Sequence, residues 1–225
     1  MIEFYFATAN DHKLQEANAV LAPHKIAVKK LEGFEKLEIQ HTSLEEIAKT
    51  ALALIVSKTK KLVFVEDSGL FVHELNGFPG PYSSFVFDTL GVEGMLKLMD
   101  GAKNRKAEFR SSVALGSSRK ILAIFSSVTE GILSLEAKGE SGFGFDPVFV
   151  PMWNTKTFGQ MELKEKTVYS HRSKALTKLA LWYLNALKTG KVEENAVELV
   201  PQNAPLADAD PTAVATKRAK TPGLK

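Results

Sequence analysis

The sequence contains no cysteine among its 225 residues. Disulfides, thiolate metal sites and cysteine nucleophiles are therefore excluded, and a bound metal needs oxygen or imidazole ligands, which favours hard cations such as Mg²⁺. The sequence also lacks a run of about 18 apolar residues and an N-terminal basic segment followed by an apolar one. We therefore expect neither a membrane span nor a secretory signal, and we expect a cytoplasmic location.

A strong excess of one sign of charge is also missing. The chain has 29 Lys and Arg residues against 26 Asp and Glu residues, which leaves a net charge of +3. Domains that bind nucleic acid usually show a concentrated basic face, so this balance does not indicate a nucleic-acid partner, and it suits a small polyanionic substrate equally well. The 44% hydrophobic content predicts a sizeable core.

Aromatic residues and regular periodicity are missing from residue 191 onward, where four of the nine prolines lie. We interpret residues 191–225 as a mostly disordered tail and residues 1–190 as the folded domain. A solvated extension is favoured over a tether for nucleic acid or a protein partner, because the basic residues of the tail are not interleaved with aromatic ones.

Strands and helices alternate along the folded part. Apolar residues recur at strand or helix spacing, which predicts strands at 2–7, 26–31 and 62–65 and helices at 13–22, 44–57 and 91–99. Stretches rich in alternating or β-branched residues predict an antiparallel meander at 106–116, 120–130 and 132–137. A last helix follows Ser170, which can cap it. The predicted fold class is α/β, with a mixed sheet flanked by helices.

The segment FATANDHKLQE runs from the first strand through a polar loop into a helix. Asn10 supplies an amide, Lys13 an ammonium group, and the free N–H groups at the helix start favour an anion such as phosphate. The alternative is an ordinary turn in which Asn10 or Asp11 caps the helix.

Two adjacent acids, Glu66 and Asp67, follow a short apolar run and precede Ser68. Neighbouring strand residues point to opposite faces, so local stability does not explain the pair. A solvated turn or a structural pair is one interpretation, and a site that holds a cation or activates a water is the other. Glu38 could supply a further oxygen.

Two later segments carry groups suited to a base or a phosphate. GESGFGFDPVF, at 139–149, combines glycines that allow close backbone approach with aromatic rings that can stack. In EKTVYSHRSKA, the basic residues Lys166, His171 and Arg172 surround a helix N-terminus, where cations oppose the helix dipole unless an anion or acceptor lies nearby. Each segment alone also fits a structural role.

Taken in order, these segments resemble the signatures of the inosine triphosphate pyrophosphatase family, which acts on non-canonical purine nucleoside triphosphates. The first segment, TANDHKLQE, resembles the family motif T-x-N-x-x-K-x-x-E, and the second, EDSGLFVHELNGFPGPYSS, resembles its acid-serine-glycine block. The third, GFGFDPVF, resembles the motif G-F-G-[YFW]-D-P, and the fourth, SHRSKAL, resembles the motif S-H-R-x-[KR]-A-L. The resemblance covers residues 1 to about 188, and PGPYSSFVFDTLGVEGMLKLMDGA is similar to the archaeal type. Ala9 and Phe145 stand where the family usually has glycine and a tyrosine or tryptophan.

The resemblance implies an elongated mixed α/β fold with a cleft between two lobes, a homodimer, and hydrolysis of ITP, dITP or XTP to the monophosphate and pyrophosphate with Mg²⁺. It implies that Asp67 is the catalytic base, that Glu38 and Asp67 bind the metal, that Ser68 contacts substrate, that Phe143 stacks on the purine and that Arg172 reads its 6-oxo group. The implied substrate-binding residues are Thr8, Ala9, Asn10, Asp11, His12, Lys13, Ser68, Phe143, Gly144, Phe145, Asp146, Lys166, His171 and Arg172.

Three alternatives stay open from the sequence. A pyrophosphatase for other modified nucleotides would use the same phosphate half of the site. A non-catalytic nucleotide-binding protein would keep Lys13 and Arg172 without needing Asp67 as a base. A nucleic-acid-binding protein acting through its basic tail would bind DNA or RNA in a salt-sensitive manner.

Overall fold

The fold is built on a mixed sheet, seen in a computed structural model that describes residues 2–34, 37 and 39–192. The strands are β1 (Ile2–Phe6), β2 (Ile26–Lys30), β3 (Val63–Val72), β4 (Pro79–Gly80), β5 (Lys106–Ser117), β6 (Lys120–Leu133) and β7 (Phe149–Pro151). Their order in the sheet is β2-β1-β3-β5-β6-β7, and β4 pairs with β3. Strands β2, β1 and β3 run parallel to one another, whereas β5, β6 and β7 each run antiparallel to the preceding strand in this order.

Helices cover both faces of this sheet, and several begin at side-chain caps. Asn10, Ser43 and Ser170 each accept a hydrogen bond from a backbone N–H three residues later, which satisfies one of the free donors at a helix start. The helices are α1 (Asp11–Leu21), α2 (Leu44–Val56), α3 (Ser83–Leu98), α4 (Leu163–Tyr169) and α5 (His171–Lys188).

Three apolar clusters pack the helices against the sheet. One cluster joins α1 and α5 to the face of β1 and β3 that carries Phe4 and Phe64, and a second joins α2 to the opposite face. The third lies around Phe109 and Phe149, under α3. The mixed α/β prediction, with two lobes and a cleft between them, is therefore confirmed.

The third strand is longer than its apolar run predicted. β3 continues to Val72, so Glu66 and Asp67 lie inside the strand rather than beyond its end. The reason is non-local, because β5 pairs with β3 over its whole length and sets Ser111 and Ser112 opposite Ser68 and Asp67. The backbone ladder thus keeps these polar residues extended although they interrupt the apolar pattern.

Two glycines mark further differences from the predicted elements. Gly131 does not separate two strands but lies within β6, and 134–137 is not part of a strand. A Cβ at Gly131 would lie 2.3 Å from the carbonyl oxygen of Val150, so the close approach of β7 explains the glycine. The predicted helix at 91–99 begins at Ser83 and contains a non-helical residue, Gly91, at its predicted start.

Part of the predicted tail lies outside the described residues, which end at residue 192. Val192 itself is buried against the cluster of α1 and α5. No helix within the described ranges is long and apolar enough to cross a membrane.

Candidate active site

A cavity of about 840 Å³ opens beyond the C-terminal ends of β1 and β2 and along the middle of β3. Ligands commonly bind at this edge of open α/β sheets. The cavity brings together residues that lie far apart in the sequence. The predicted site residues that line it are Thr8, Ala9, Asn10, Lys13, Asp67, Ser68, Phe143, Gly144, Phe145, Asp146, Lys166, His171 and Arg172.

Two predicted site residues within the described part of the chain do not line the cavity. Asp11 is exposed and pairs with Lys30 at 2.9 Å, and His12 stacks on Phe143 with ring centroids 5.4 Å apart. Asp11 and His12 follow the cap residue on the first turn of α1. Successive side chains on a helix point in different directions, which explains why these two do not line the cavity as Lys13 does. Glu38 lies outside the described residues, so its predicted metal-binding role stays a prediction.

The loop between β1 and α1 has the geometry of a capped helix start. Asn10 Oδ1 accepts a hydrogen bond from the Lys13 N–H at 3.1 Å, and Thr8 Oγ1 accepts one from the Asn10 N–H at 3.1 Å. Asn10 therefore acts as the cap, while Lys13 lines the cavity beside it. The capped turn and the anion site, which the sequence left as alternatives, are compatible because a cap occupies only some of the free N–H groups.

The adjacent acids of β3 lie on opposite faces of the sheet. Glu66 shares its face with Phe64 and Ser68, toward α1 and α5, and its side chain is fully buried. Asp67 lies on the face of Val65, toward α2, and lines the cavity while only 7% of its surface is exposed. The two carboxylates thus belong to different surroundings.

Glu66 bridges two basic residues of the site. Its Oε2 lies 2.8 Å from Lys13 Nζ and its Oε1 lies 3.1 Å from Arg172 Nε. Ser111 Oγ donates a hydrogen bond to the same Oε1 at 2.8 Å. Burial alone would raise the pKa of Glu66, but Arg172 and Lys13 outweigh it and lower the pKa well below its usual range.

Glu16 extends this network toward the other end of the cavity. It accepts from Arg172 Nη1 at 2.5 Å and from Lys166 Nζ at 2.6 Å, and Lys166 also contacts Asp146 at 2.6 Å. Burial would raise the pKa of Glu16, but the two cations lower it to about 2. Lys13, Glu66, Arg172, Glu16, Lys166 and Asp146, called here the charge network, alternate in sign.

Sequence reasoning gave Glu16 no role and considered Glu66 only together with Asp67, as a site for a cation or a water. Glu16 is the last residue of TANDHKLQE and follows Lys13 by three residues on α1, which places both on one helix face. The motif and this spacing were the available signals. The buried partners of Glu66 come from α1 and α5, and sequence spacing does not reveal them. Phe87 of α3 and Glu32 also line the cavity without having been predicted.

Arg172 is almost fully buried, with its guanidinium held by protein acceptors. Besides Glu16 and Glu66, Ser68 Oγ accepts from its Nη2 at 2.9 Å. Burial lowers the pKa of Arg172, but the two carboxylates outweigh it and raise the pKa. The group is therefore permanently charged and fixed in orientation at the cavity wall, which suits a donor to a carbonyl oxygen.

Aromatic rings form the wall next to Arg172. The Phe143 ring lies 5.4 Å from the Arg172 guanidinium and 5.0 Å from Lys166 Nζ. Its backbone N–H donates to Asp146 Oδ2 at 2.8 Å, which fixes the loop. Phe145 is buried, with Phe87 packed edge-on against it, so a tyrosine hydroxyl at this position would need its own partner.

His171 is buried with its ring stacked on Phe109 at 4.7 Å. Burial, with Arg172 next in effect, lowers the pKa of His171 well below its usual range. The neutral ring thus has one donor and one acceptor nitrogen. Nδ1 has no hydrogen-bond partner within the described part of the chain, which leaves it available to a ligand polar group.

The carboxylates that line the cavity fit a cation held largely by substrate. In residues 2–34, 37 and 39–192 there is no group of three His, Cys, Asp or Glu side chains that could hold a metal on its own. Asp67 and Glu32 nevertheless line the cavity. Mg²⁺ is usually bound by one or two carboxylates together with substrate phosphates, so this donor set fits it.

Comparisons with known proteins agree with the resemblance that the motifs predicted. A dITP/XTP pyrophosphatase of Methanopyrus kandleri is 45% identical over 180 residues, which cover 80% of this chain and 95% of the relative. One of Pyrococcus horikoshii is 40% identical over 187 residues, covering 83% and 100%. A solved structure of a HAM1 protein from Coxiella burnetii superposes with a TM-score of 0.71 at 28% identity, covering 83% and 100%. The model of the Ham1 family matches residues 4–182, and the chain belongs to this family.

Proposed function

We propose that this protein hydrolyses the non-canonical purine nucleoside triphosphates ITP, dITP and XTP to the nucleoside monophosphate and pyrophosphate. The observation that carries the proposal is the single cavity that joins the Lys13 loop, Asp67 and the Phe143–Arg172 wall. The relatives named dITP/XTP pyrophosphatase support the same activity. Residues 1–190 would form the catalytic domain.

The phosphate end of the substrate would lie at the start of α1. Lys13 and the free N–H groups of the first turn donate to phosphate oxygens and stabilise the charge that develops on them. Asp67 would accept a proton from the attacking water and, together with Glu38, would hold Mg²⁺, whose charge would offset that of the phosphates.

The base would lie against Phe143, with Arg172 donating to its 6-oxo group. A 6-amino group offers a donor where Arg172 also offers a donor, so ATP would leave both unpaired in a dry site. The charge network fixes Arg172 in advance, and this fixed orientation makes the discrimination sharper than a mobile side chain would allow.

The direct experiment measures pyrophosphate release from ITP, XTP, dITP, ATP and GTP, each with Mg²⁺ and with a chelator. The proposal predicts Mg²⁺-dependent turnover of the first three far above ATP and GTP. Equal turnover of all five would overturn the selectivity, and no turnover by folded protein would overturn the enzymatic function.

We propose further that the enzyme is a homodimer that works in the cytoplasm, where nucleotides are pooled. The family resemblance supports the dimer, and α3 exposes apolar side chains, including Phe85 and Leu90. Light scattering coupled to size-exclusion chromatography should give twice the chain mass of 24.7 kDa. A mass equal to one chain across micromolar concentrations would contradict the dimer.

A further inference from the structure

Glu66 touches groups from both ends of the cavity. Its Oε2 holds Lys13 at the phosphate end, and its Oε1 holds Arg172 at the base end. Glu16 instead joins Arg172 to Lys166, which lies on the side of Asp146. Within the charge network, Glu66 is thus the carboxylate that joins the two halves of the site.

Because Glu66 is buried, the balance of its charge depends on both of its cationic partners, Lys13 and Arg172. The carboxylate is fully buried in the middle of β3, whereas the Lys13 side chain remains 17% exposed. In a buried site, an ion pair is strong and an unpaired charge is costly. Movement of Lys13 toward a phosphate therefore leaves more of the compensation of Glu66 to Arg172. A base that holds Arg172 in place against Glu66 makes this movement less costly.

Ser111 restricts how the carboxylate can respond. Its hydroxyl donates to Oε1, the oxygen that Arg172 contacts, and Ser111 itself is fully buried. The carboxylate is therefore held between β5 and α5 and cannot rotate freely to follow Lys13. When one cation moves, a fixed carboxylate interacts differently with the other cation. A mobile carboxylate could instead follow the cation that moves.

We propose that Glu66 is a positioning residue that couples base recognition to phosphate binding, so that a base that holds Arg172 against Glu66 leaves Lys13 available to the phosphates. This inference rests on the proposed function, because it assumes that base and phosphates occupy the two ends of the cavity. Glu66 itself touches neither reacting atom. Its role differs from that of Asp67, which lies on the other face of β3.

Coupling between two sites is measured as the change that one ligand causes in the affinity of the other. We would titrate pyrophosphate by calorimetry in the absence and presence of saturating inosine, a nucleoside without phosphates. In the wild-type protein, inosine should tighten pyrophosphate binding by about fivefold or more. This readout requires no turnover.

Two variants of Glu66 test whether the coupling needs the position of the carboxylate or only its negative charge. Glu66→Gln keeps the shape but removes the charge, and Glu66→Asp keeps the charge but is too short to reach both cations. Both should bring the effect of inosine close to onefold. Glu108→Gln, on the neighbouring strand β5, removes the same unit of charge from an exposed pair with Arg110 and should leave the effect intact.

Kinetics give a second readout. The ratio of kcat/KM for ITP to that for ATP should fall at least about tenfold in both Glu66 variants, mainly through kcat. If Glu66→Gln does not fold, as judged by circular dichroism and melting, Glu66→Asp carries the test alone.

The outcomes distinguish the proposed role of Glu66 from the proposed hydrolytic activity. Inosine coupling that is absent in the wild type, or unchanged in the folded Glu66 variants, overturns the role of Glu66. Coupling retained in Glu66→Asp but lost in Glu66→Gln would show that charge alone suffices and would overturn positioning. A wild-type protein that shows coupling but no turnover of ITP would instead contradict only the proposed activity.

Discussion

Glu16→Gln removes one negative charge from between two buried cations. Glu16 is 4% exposed and contacts Arg172 and Lys166 at 2.5 and 2.6 Å. Burial alone would raise its pKa, but these cations lower it from 4.5 to about 2. Because a tenfold change in proton affinity is about 1.4 kcal/mol, the ionised form contributes about 3 kcal/mol to stability at pH 7. Glutamine, which is neutral at every pH, should lose this contribution.

The pH dependence follows from the direction of the pKa change. A carboxyl whose pKa is lowered by folding stabilises the native state above its unfolded pKa, and the stabilisation is lost as pH falls through the folded value. For Glu16 this interval runs from about 4.5 to about 2. The difference between wild type and variant should therefore shrink from about 3 kcal/mol at pH 7 to between about 1 and 2 kcal/mol at pH 3.

Urea denaturation at both pH values measures these differences as free energies of unfolding. Glu46→Gln provides the control, because Glu46 makes an exposed pair with Lys49 and should have little effect at either pH. A Glu16→Gln difference below about 1 kcal/mol at pH 7, or one that stays constant down to pH 3, would refute the assignment of this carboxylate as the charged centre of the network.

Three further predictions concern the cavity. Asp67→Asn should lower kcat for ITP at least about a hundredfold while leaving the melting temperature nearly unchanged, and near-normal turnover would contradict its role as base. Lys13→Ala should raise KM and lower kcat together in steady-state assays with ITP, since it contacts phosphates before and during the reaction; an unchanged KM would place the phosphates elsewhere. Gly142→Ala should destabilise the fold by about 1–3 kcal/mol, because φ is +77° and a Cβ would lie 2.1 Å from Asp146 Oδ2, and unchanged urea unfolding would refute this.

The sequence predicted the elements whose apolar spacing is regular. The helix at α2 was predicted at 44–57 and observed at Leu44–Val56, since its inward residues recur at helical spacing and Ser43 caps it. The strand β3 was predicted too short, because the polar residues from Glu66 to Ser68 interrupt its pattern. Its full length depends on pairing with β5, which lies about forty residues further along the chain.

In the candidate site, too, features carried by short stretches of sequence were predicted, whereas contacts between distant residues were not. Short motifs identified half of the residues that line the cavity, since each motif is a continuous stretch of sequence. The ion pairs that hold those residues were not predicted. Arg172 and Glu16 are separated by 156 residues and Lys166 and Glu16 by 150, so only the packing of α1 against α4 and α5 brings them together.

The charge network also limits where attraction for a triphosphate can arise. It contains three acids and three bases, which balance when all six are ionised, and five of the six side chains are almost completely buried. A neutral, buried network orients its donors but adds little long-range attraction. Long-range attraction for the polyanion is therefore left to groups outside this balance, such as the N–H groups at the start of α1. The partly exposed Lys13 lines the cavity and contributes at short range, where a phosphate competes with Glu66 for it. A cation bound with the substrate, as proposed for Asp67, would neutralise the remaining phosphate charge.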